Sequence, residues 1–173
     1  MKKFLQFSGL IALGLALVAF ILLMACPSVV YLDNVNNWYS GLAAIFAGGK
    51  VQGTLGGATI TTDFDGKLAA TALIAWIFVL LAMLALIAVS VLPLLKVKAL
   101  DNISKMLTLA CAGVLLIAGV LLFFTKLAFS GANNNYFDSY STSFAFVFAG
   151  ILAILSAACA ACPAVLALLG KDK

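Results

Sequence analysis

Four long runs of apolar residues, separated by more polar stretches, dominate the chain at about 7–25, 68–92, 106–126 and 144–169. Each exceeds the roughly 18 residues that a helix needs to cross a bilayer. None carries Lys or Asp near its middle, where one charge costs about 2.5–3.5 kcal/mol on insertion scales. The pattern predicts an all-α membrane protein, a four-helix transmembrane bundle forming one domain over 1–173.

Two segments between the runs lie on one side of such a bundle, about 27–67 and 130–143. The first is far longer than the roughly 2–8 residues that join helices in bundles, so it has structure of its own. Trp38, Leu42, Ile45 and Phe46 recur at helical spacing. They predict a short helix lying at the interface, with Trp38 at headgroup depth and Gly48-Gly49 ending it. Val51–Leu55 and Ala58–Thr62 flank Gly56-Gly57, which predicts a small β-hairpin. A lone hairpin is marginal in water, so it should rest on the bundle or on the second loop. That second loop combines Asn133-Asn134-Asn135 with Tyr136, Phe137 and Tyr140. Trp38, Tyr39, Tyr136, Phe137 and Tyr140 form a candidate outer contact surface, since exposed aromatics are enriched at protein contacts. The simpler reading makes them interfacial anchors of the bundle itself.

Charge fixes the expected orientation. Lys2, Lys3, Lys96, Lys98, Lys105, Lys171 and Lys173 fall on one side of four crossings. Lys50, Lys67 and Lys126 fall on the other, beside Asp33, Asp63, Asp65 and Asp138. The excess of lysine places both termini and the middle connection in the cytoplasm of a multi-pass cell-membrane protein. Lys126 can snorkel from the end of its span. Met1-Lys2-Lys3 followed by an apolar stretch and Leu23-Met24-Ala25-Cys26 also has the form of a lipoprotein signal. Its apolar run is longer than the 7–15 residues of a signal core, which favours a retained span ending at Pro27.

Composition narrows the chemistry. Of 173 residues 65% are hydrophobic and 9% charged, against about 25% charged in an ordinary soluble domain. The chain has no His, Arg or Glu. The commonest general base and metal ligand, and the bidentate phosphate binder, are therefore missing. No catalytic, cofactor-binding or metal-binding set is expected, and nucleic-acid binding has no support.

In lipid, close backbone approach favours helix association. The fourth run carries a packing stripe of Ala145, Ala149, Ala153, Ala157 and Ala161, with Gly150 and Ser156 nearby. The others offer Ala12, Ala16 and Ala19; Ala75, Ala82, Ala85 and Ala88; and Gly113 and Gly119. Such stripes pack a bundle internally, and a second stripe can meet a neighbouring subunit. Phe64-Asp65-Gly66 before the second run and Phe137-Asp138-Ser139 before the fourth, with Pro93 and Pro163 near the ends of those runs, suggest two related hairpins. Asp and Pro also mark helix ends in unrelated proteins.

The plan resembles that of claudins and related four-span proteins, which keep both termini inside and fold a long first outer loop into strands. Trp38 and Gly41-Leu42 echo that family's Trp and Gly-Leu-Trp. Ala43 replaces the second Trp, and the disulfide cysteines of the family's first loop have no counterpart beyond Pro27. The resemblance is one of topology, and no functional residue is carried over from it.

Cys111, Cys159 and Cys162 share a depth near the lysine-rich side, and Cys26 lies at the opposite end. Three thiols could hold a soft ion or act in redox chemistry, as in four-span quinone-linked thiol oxidoreductases. The reducing cytoplasm and the lack of loop cysteine partners argue against it. Small cysteines packing like alanine, or reversible palmitoylation, are the plainer readings. The expected function is a non-catalytic accessory, scaffold or assembly subunit. A small oligomeric channel or transporter is the alternative, and a thiol or soft-metal protein the third. Expected partners are the bilayer and either a second copy or another membrane protein.

Overall fold

Helix α1 (Lys2–Ala25) ends just before Pro27, which biases the residue before it away from helix and opens strand β1 (Pro27–Tyr31). The structure is a computed structural model that describes residues 2–31, 37–55, 58–91, 99–133 and 140–168. Strand β2 (Asn37–Ser40), helix α2 (Gly41–Phe46), and strands β3 (Lys50–Leu55) and β4 (Ala58–Asp63) complete the first long loop. Helices α3 (Ala70–Val91), α4 (Ala99–Phe123) and α5 (Thr125–Asn133), strand β5 (Tyr140–Thr142) and helix α6 (Phe144–Leu168) follow.

Four helices, within α1, α3, α4 and α6, are long and apolar enough to cross a membrane. They close a ring in which α1 touches α3 and α6, and α4 touches the same two. The inward face carries small residues one turn apart, interleaved with buried Leu23, Val79, Leu115, Leu122 and Phe146. Ala12, Ala16 and Ala19 of α1, Ala75 of α3, Ala118 of α4, and Ala149 and Ala153 of α6 are all fully buried. Large side chains point outward: Leu10, Ile21, Leu81, Leu84, Leu116 and Leu155 are about half exposed. A water-soluble bundle turns charged and polar groups outward instead.

Small residues permit close crossings. At Gly119 an added Cβ would lie 2.8 Å from the Gly150 carbonyl oxygen and 2.6 Å from Ile154 Cγ1. There α4 and α6 meet backbone to backbone. Ser156 Oγ donates to the Ala12 carbonyl at 2.6 Å, a buried bond joining α6 to α1. Pro163 lies inside α6, and the helix continues past it to Leu168.

The strands form one antiparallel sheet in the order β4-β3-β2-β1-β5. The expected hairpin is present as β3 and β4, with Leu55 opposite Ala58 and Lys50 opposite Asp63. A hairpin alone understates the sheet. Strands β1 and β2 precede it, and β5 from the second loop pairs with β1, placing Tyr31 opposite Tyr140.

The expected interfacial helix also needs correction. Trp38 lies on strand β2, and α2 starts only after Ser40. Ser40 Oγ accepts from Ala43 N at 3.3 Å, capping the helix, and from Lys50 N at 3.2 Å. Ala43, Ala44 and Ile45 are fully buried, so α2 is wedged among its neighbours. Gly41 allows this: a Cβ there would stand 1.9 Å from the Leu23 carbonyl oxygen. The third run breaks at Phe124, and α5 takes up the start of what read as the second loop.

Strand β1 shifts register between Pro27 and Val29. The irregularity turns buried Ser28 to donate to the Tyr39 carbonyl at 3.1 Å and the Ser40 carbonyl at 2.9 Å. Ser143 caps α6, accepting from Phe146 N at 3.4 Å. Its hydroxyl donates to the Pro27 carbonyl, and its backbone N donates to Ser28 O at 2.9 Å. These bonds tie the sheet to the C-terminal end of α1 and the N-terminal end of α6, with α3 beginning at the same end. Successive long helices therefore run antiparallel, capped by the sheet at one end and lysine-rich at the other.

Candidate functional site

Polar groups of the described residues converge at the cap, in an open cleft of about 450 Å³ between the β3–β4 hairpin and α5. The cleft is built on an aromatic cluster. Phe129 of α5 is fully buried, with its ring 5.1 Å from Tyr39, 5.7 Å from Phe64 and 5.7 Å from Tyr140. Tyr39 also meets Phe64 edge-on at 5.6 Å, and Tyr31 meets Tyr140 at 5.0 Å. Edge-to-face pairs of this kind contribute roughly 0.5–1.5 kcal/mol each beyond area burial. They join residues from β1, β2, β5, α5 and the segment after β4.

One side chain locks the cleft's rim. Asn133 Oδ1 accepts from Lys67 N at 2.6 Å, and Asn133 Nδ2 donates to Lys67 O at 2.8 Å and Phe129 O at 3.0 Å. The last residue of α5 thus holds the backbone of the 64–69 connection as a neighbouring strand would. Gly66 leaves room for this lock: a Cβ would be 2.4 Å from Phe64 Cζ and 2.6 Å from Asn133 Oδ1, so the ring or the amide would have to shift. Asp63, Asp65 and Lys67 line the opening and leave it a net charge of −1.

Tyr39 sits beneath them. Burial, the neighbouring Tyr140 and the hydrogen bond the two share, and nearby Tyr31 push its hydroxyl up from 10.0 to about 12. It is a neutral phenol at any ordinary pH, suited to hydrogen bonding and poorly suited to act as a base.

The aromatic residues read from the sequence as one contact surface separate in the structure. Trp38 is exposed, beside a small depression with Cys26, Pro27 and Gln52. Tyr39, its neighbour on the strand, faces the cluster, and Tyr140 is only 2% exposed. Tyr140 is therefore a core residue of the cap and not part of its surface. Tyr136 and Phe137 lie outside the described residues, as do Pro93 and Asp138. In the packing stripe, Ala149, Ala153 and Ala157 are buried, and Ala145 and Ala161 half-buried. Of the third-run glycines, Gly119 makes a close crossing while Gly113 has open space beside it. Ala88 is exposed on α3.

Sequence reading gave Phe129 no role, named Asn133 only as part of a polar loop, counted Asp63 and Asp65 only in the charge balance, and otherwise used Asp65 as a helix-start mark. Asp65 does not cap α3, which begins at Ala70. A signal was present, since Phe64-Asp65-Gly66-Lys67 directly follows the hairpin and has turn chemistry. Its partner Asn133 lies 66 residues away.

All four cysteines are free thiols, Cys111 buried and the others half-buried. Among the described residues no group of three or more His, Cys, Asp or Glu side chains could hold a metal ion. The arrangement at the cap suits recognition: a rigid aromatic base, a fixed rim and two carboxylates beside a lysine. The chain matches no protein-family model and no curated protein.

Proposed function

We propose that this is an integral membrane protein crossing the bilayer four times, with both termini in the cytoplasm. In this reading it is a non-catalytic accessory, scaffold or assembly subunit whose working surface is the extracytoplasmic cap. The observation that supports it is the segregation of polar chemistry. The bundle interior of the described residues is alanine, glycine backbone, leucine, valine and Phe146, with a few hydroxyls such as Ser8 and Ser156, which offers little for substrate handling. Charged and aromatic groups gather instead in a cleft whose rim is fixed by Asn133 and whose base is fixed by Phe129. A cap held so firmly to four helices presents a preorganised face, which lowers the ordering cost of binding.

The test is purification from native membranes in a mild detergent, followed by identification of what co-migrates and at what mass. A distinct membrane protein should co-purify with the wild type and be depleted when Asp63 and Asp65 are both changed to Asn. Both side chains are on the exposed rim, so the fold should survive. Purified chain alone supporting saturable ion flux in liposomes would overturn the scaffold reading in favour of a channel or transporter.

A further inference from the structure

At the end opposite the cap a second cavity, of about 210 Å³, opens where the long helices converge. Ser8 and Gly9 of α1, Ser104, Lys105 and Thr108 of α4, and Pro163 of α6 line it. No carboxylate lines it among the described residues. We propose that this cavity binds a phosphate ester, as presented by the headgroup of an anionic lipid.

The donor inventory points to an anion. Lys105 brings an ammonium with three N–H donors. Ser104 contributes a hydroxyl, while Ser8, only 2% exposed, has a partner of its own and serves as wall. Thr108 is not a donor to the ligand, because its hydroxyl proton is held by the Ser104 carbonyl at 2.7 Å. Space comes from residues that fill little: an added Cβ at Gly9 would meet nothing within 4 Å.

The surrounding field has the matching sign. By chain position this end of the bundle holds seven lysines and two aspartates, Asp101 and Asp172, a net charge of +5. The cap end holds three lysines and four aspartates, a net charge of −1. Lysines near a membrane surface attract anionic headgroups, and basic pockets between helices on the cytoplasmic side take up phosphate-bearing ones. Lys105 is exposed where it lines the cavity, so its ammonium is within reach of a headgroup arriving from the surroundings.

The experiment uses the full chain in detergent. Retention of phosphatidylglycerol and phosphatidylcholine is read by native mass spectrometry, and glycerol phosphate is added in a separate arm. Wild type should retain phosphatidylglycerol over phosphatidylcholine. Lys105→Ala should lower that retention about fivefold, the effect of one lysine near a headgroup. Lys105→Arg should retain it, and Lys67→Ala at the cap should change nothing. Gly9→Leu, which fills the cavity without altering charge, should lower retention at least as much as Lys105→Ala. Binding of glycerol phosphate that depends on Lys105 would support the site and assign a soluble ester as its source. Equal losses in Lys105→Ala and Lys67→Ala would reduce the effect to surface charge and overturn the proposal. Unchanged binding in Lys105→Ala and Gly9→Leu, with both proteins eluting as wild type, would overturn it too.

Discussion

Tyr39 and Trp38 show how much one position along a strand decides. Neighbouring strand residues face opposite ways, so Trp38 meets the surroundings while Tyr39 enters the aromatic cluster. Sequence alone identifies both as aromatic and polar-tipped, but the phase of the strand is set by pairing with β1 and β3, which is non-local. Burial of Tyr39 has a measurable consequence. Its phenol is held neutral up to about pH 12, above its ordinary 10.0. The unfolded chain therefore releases this proton first, and between those two pH values the folded state binds more protons than the unfolded one. By linkage, stability falls as pH rises through that window, and the contribution is fully present below it. Thermal unfolding in detergent should show this alkaline decline in wild type, and Tyr39→Phe should flatten it. Tyrosinate absorbance should lose its highest-pH component in the same variant. An unchanged absorbance titration in Tyr39→Phe would show that Tyr39 is not the shifted group.

Local pattern made the long helices and the β3–β4 hairpin legible, because run length and a two-glycine turn need no distant partner. Strands β1, β2 and β5 were not legible. They span five, four and three residues, and their order in the sheet brings together chain segments over a hundred residues apart. The helical spacing of Trp38, Leu42, Ile45 and Phe46 misled because Ser40 divides it into a strand and a capped helix. A serine one step before Gly-Leu-Ala-Ala-Ile was the available warning. Small residues were legible as packing material, but which of them pack was not. Gly113 and Gly119 look alike in sequence, yet only Gly119 touches α6. This distinction can be tested at the element level. Gly119→Val should destabilise the α4–α6 contact by about 1–3 kcal/mol or more, since the obstructing Gly150 oxygen is backbone and cannot rotate away. Gly113→Ala should be neutral or stabilise by up to about 1 kcal/mol, through helix propensity alone. Unfolding in mixed micelles, followed by loss of helical circular dichroism, compares the two. Equal responses would mean that α4 and α6 do not cross at Gly119.

For the whole molecule, the decisive feature is that two ends of one bundle differ in both structure and charge. Four helices carry an apolar belt outward and small residues at their crossings, an arrangement stable where the surroundings are hydrocarbon and backbone groups must be satisfied within each helix. In the proposed reading one freedom remains, which end faces the cytoplasm, and the excess of lysine argues for the end opposite the cap. The cap end should then be reached only from outside. Intact cells treated with a membrane-impermeant amine reagent should show modification of Lys50 and Lys67, which are exposed on the cap. Lys98 and Lys173 should be modified only after permeabilisation. Peptide mapping by mass spectrometry reads all four sites in one sample, so the cap lysines serve as the positive control for the others. If Lys98 or Lys173 reacts in sealed cells while Lys50 stays unlabelled, the orientation is reversed. The acidic cleft would then face the cytoplasm, and the partner sought by co-purification would be an intracellular one.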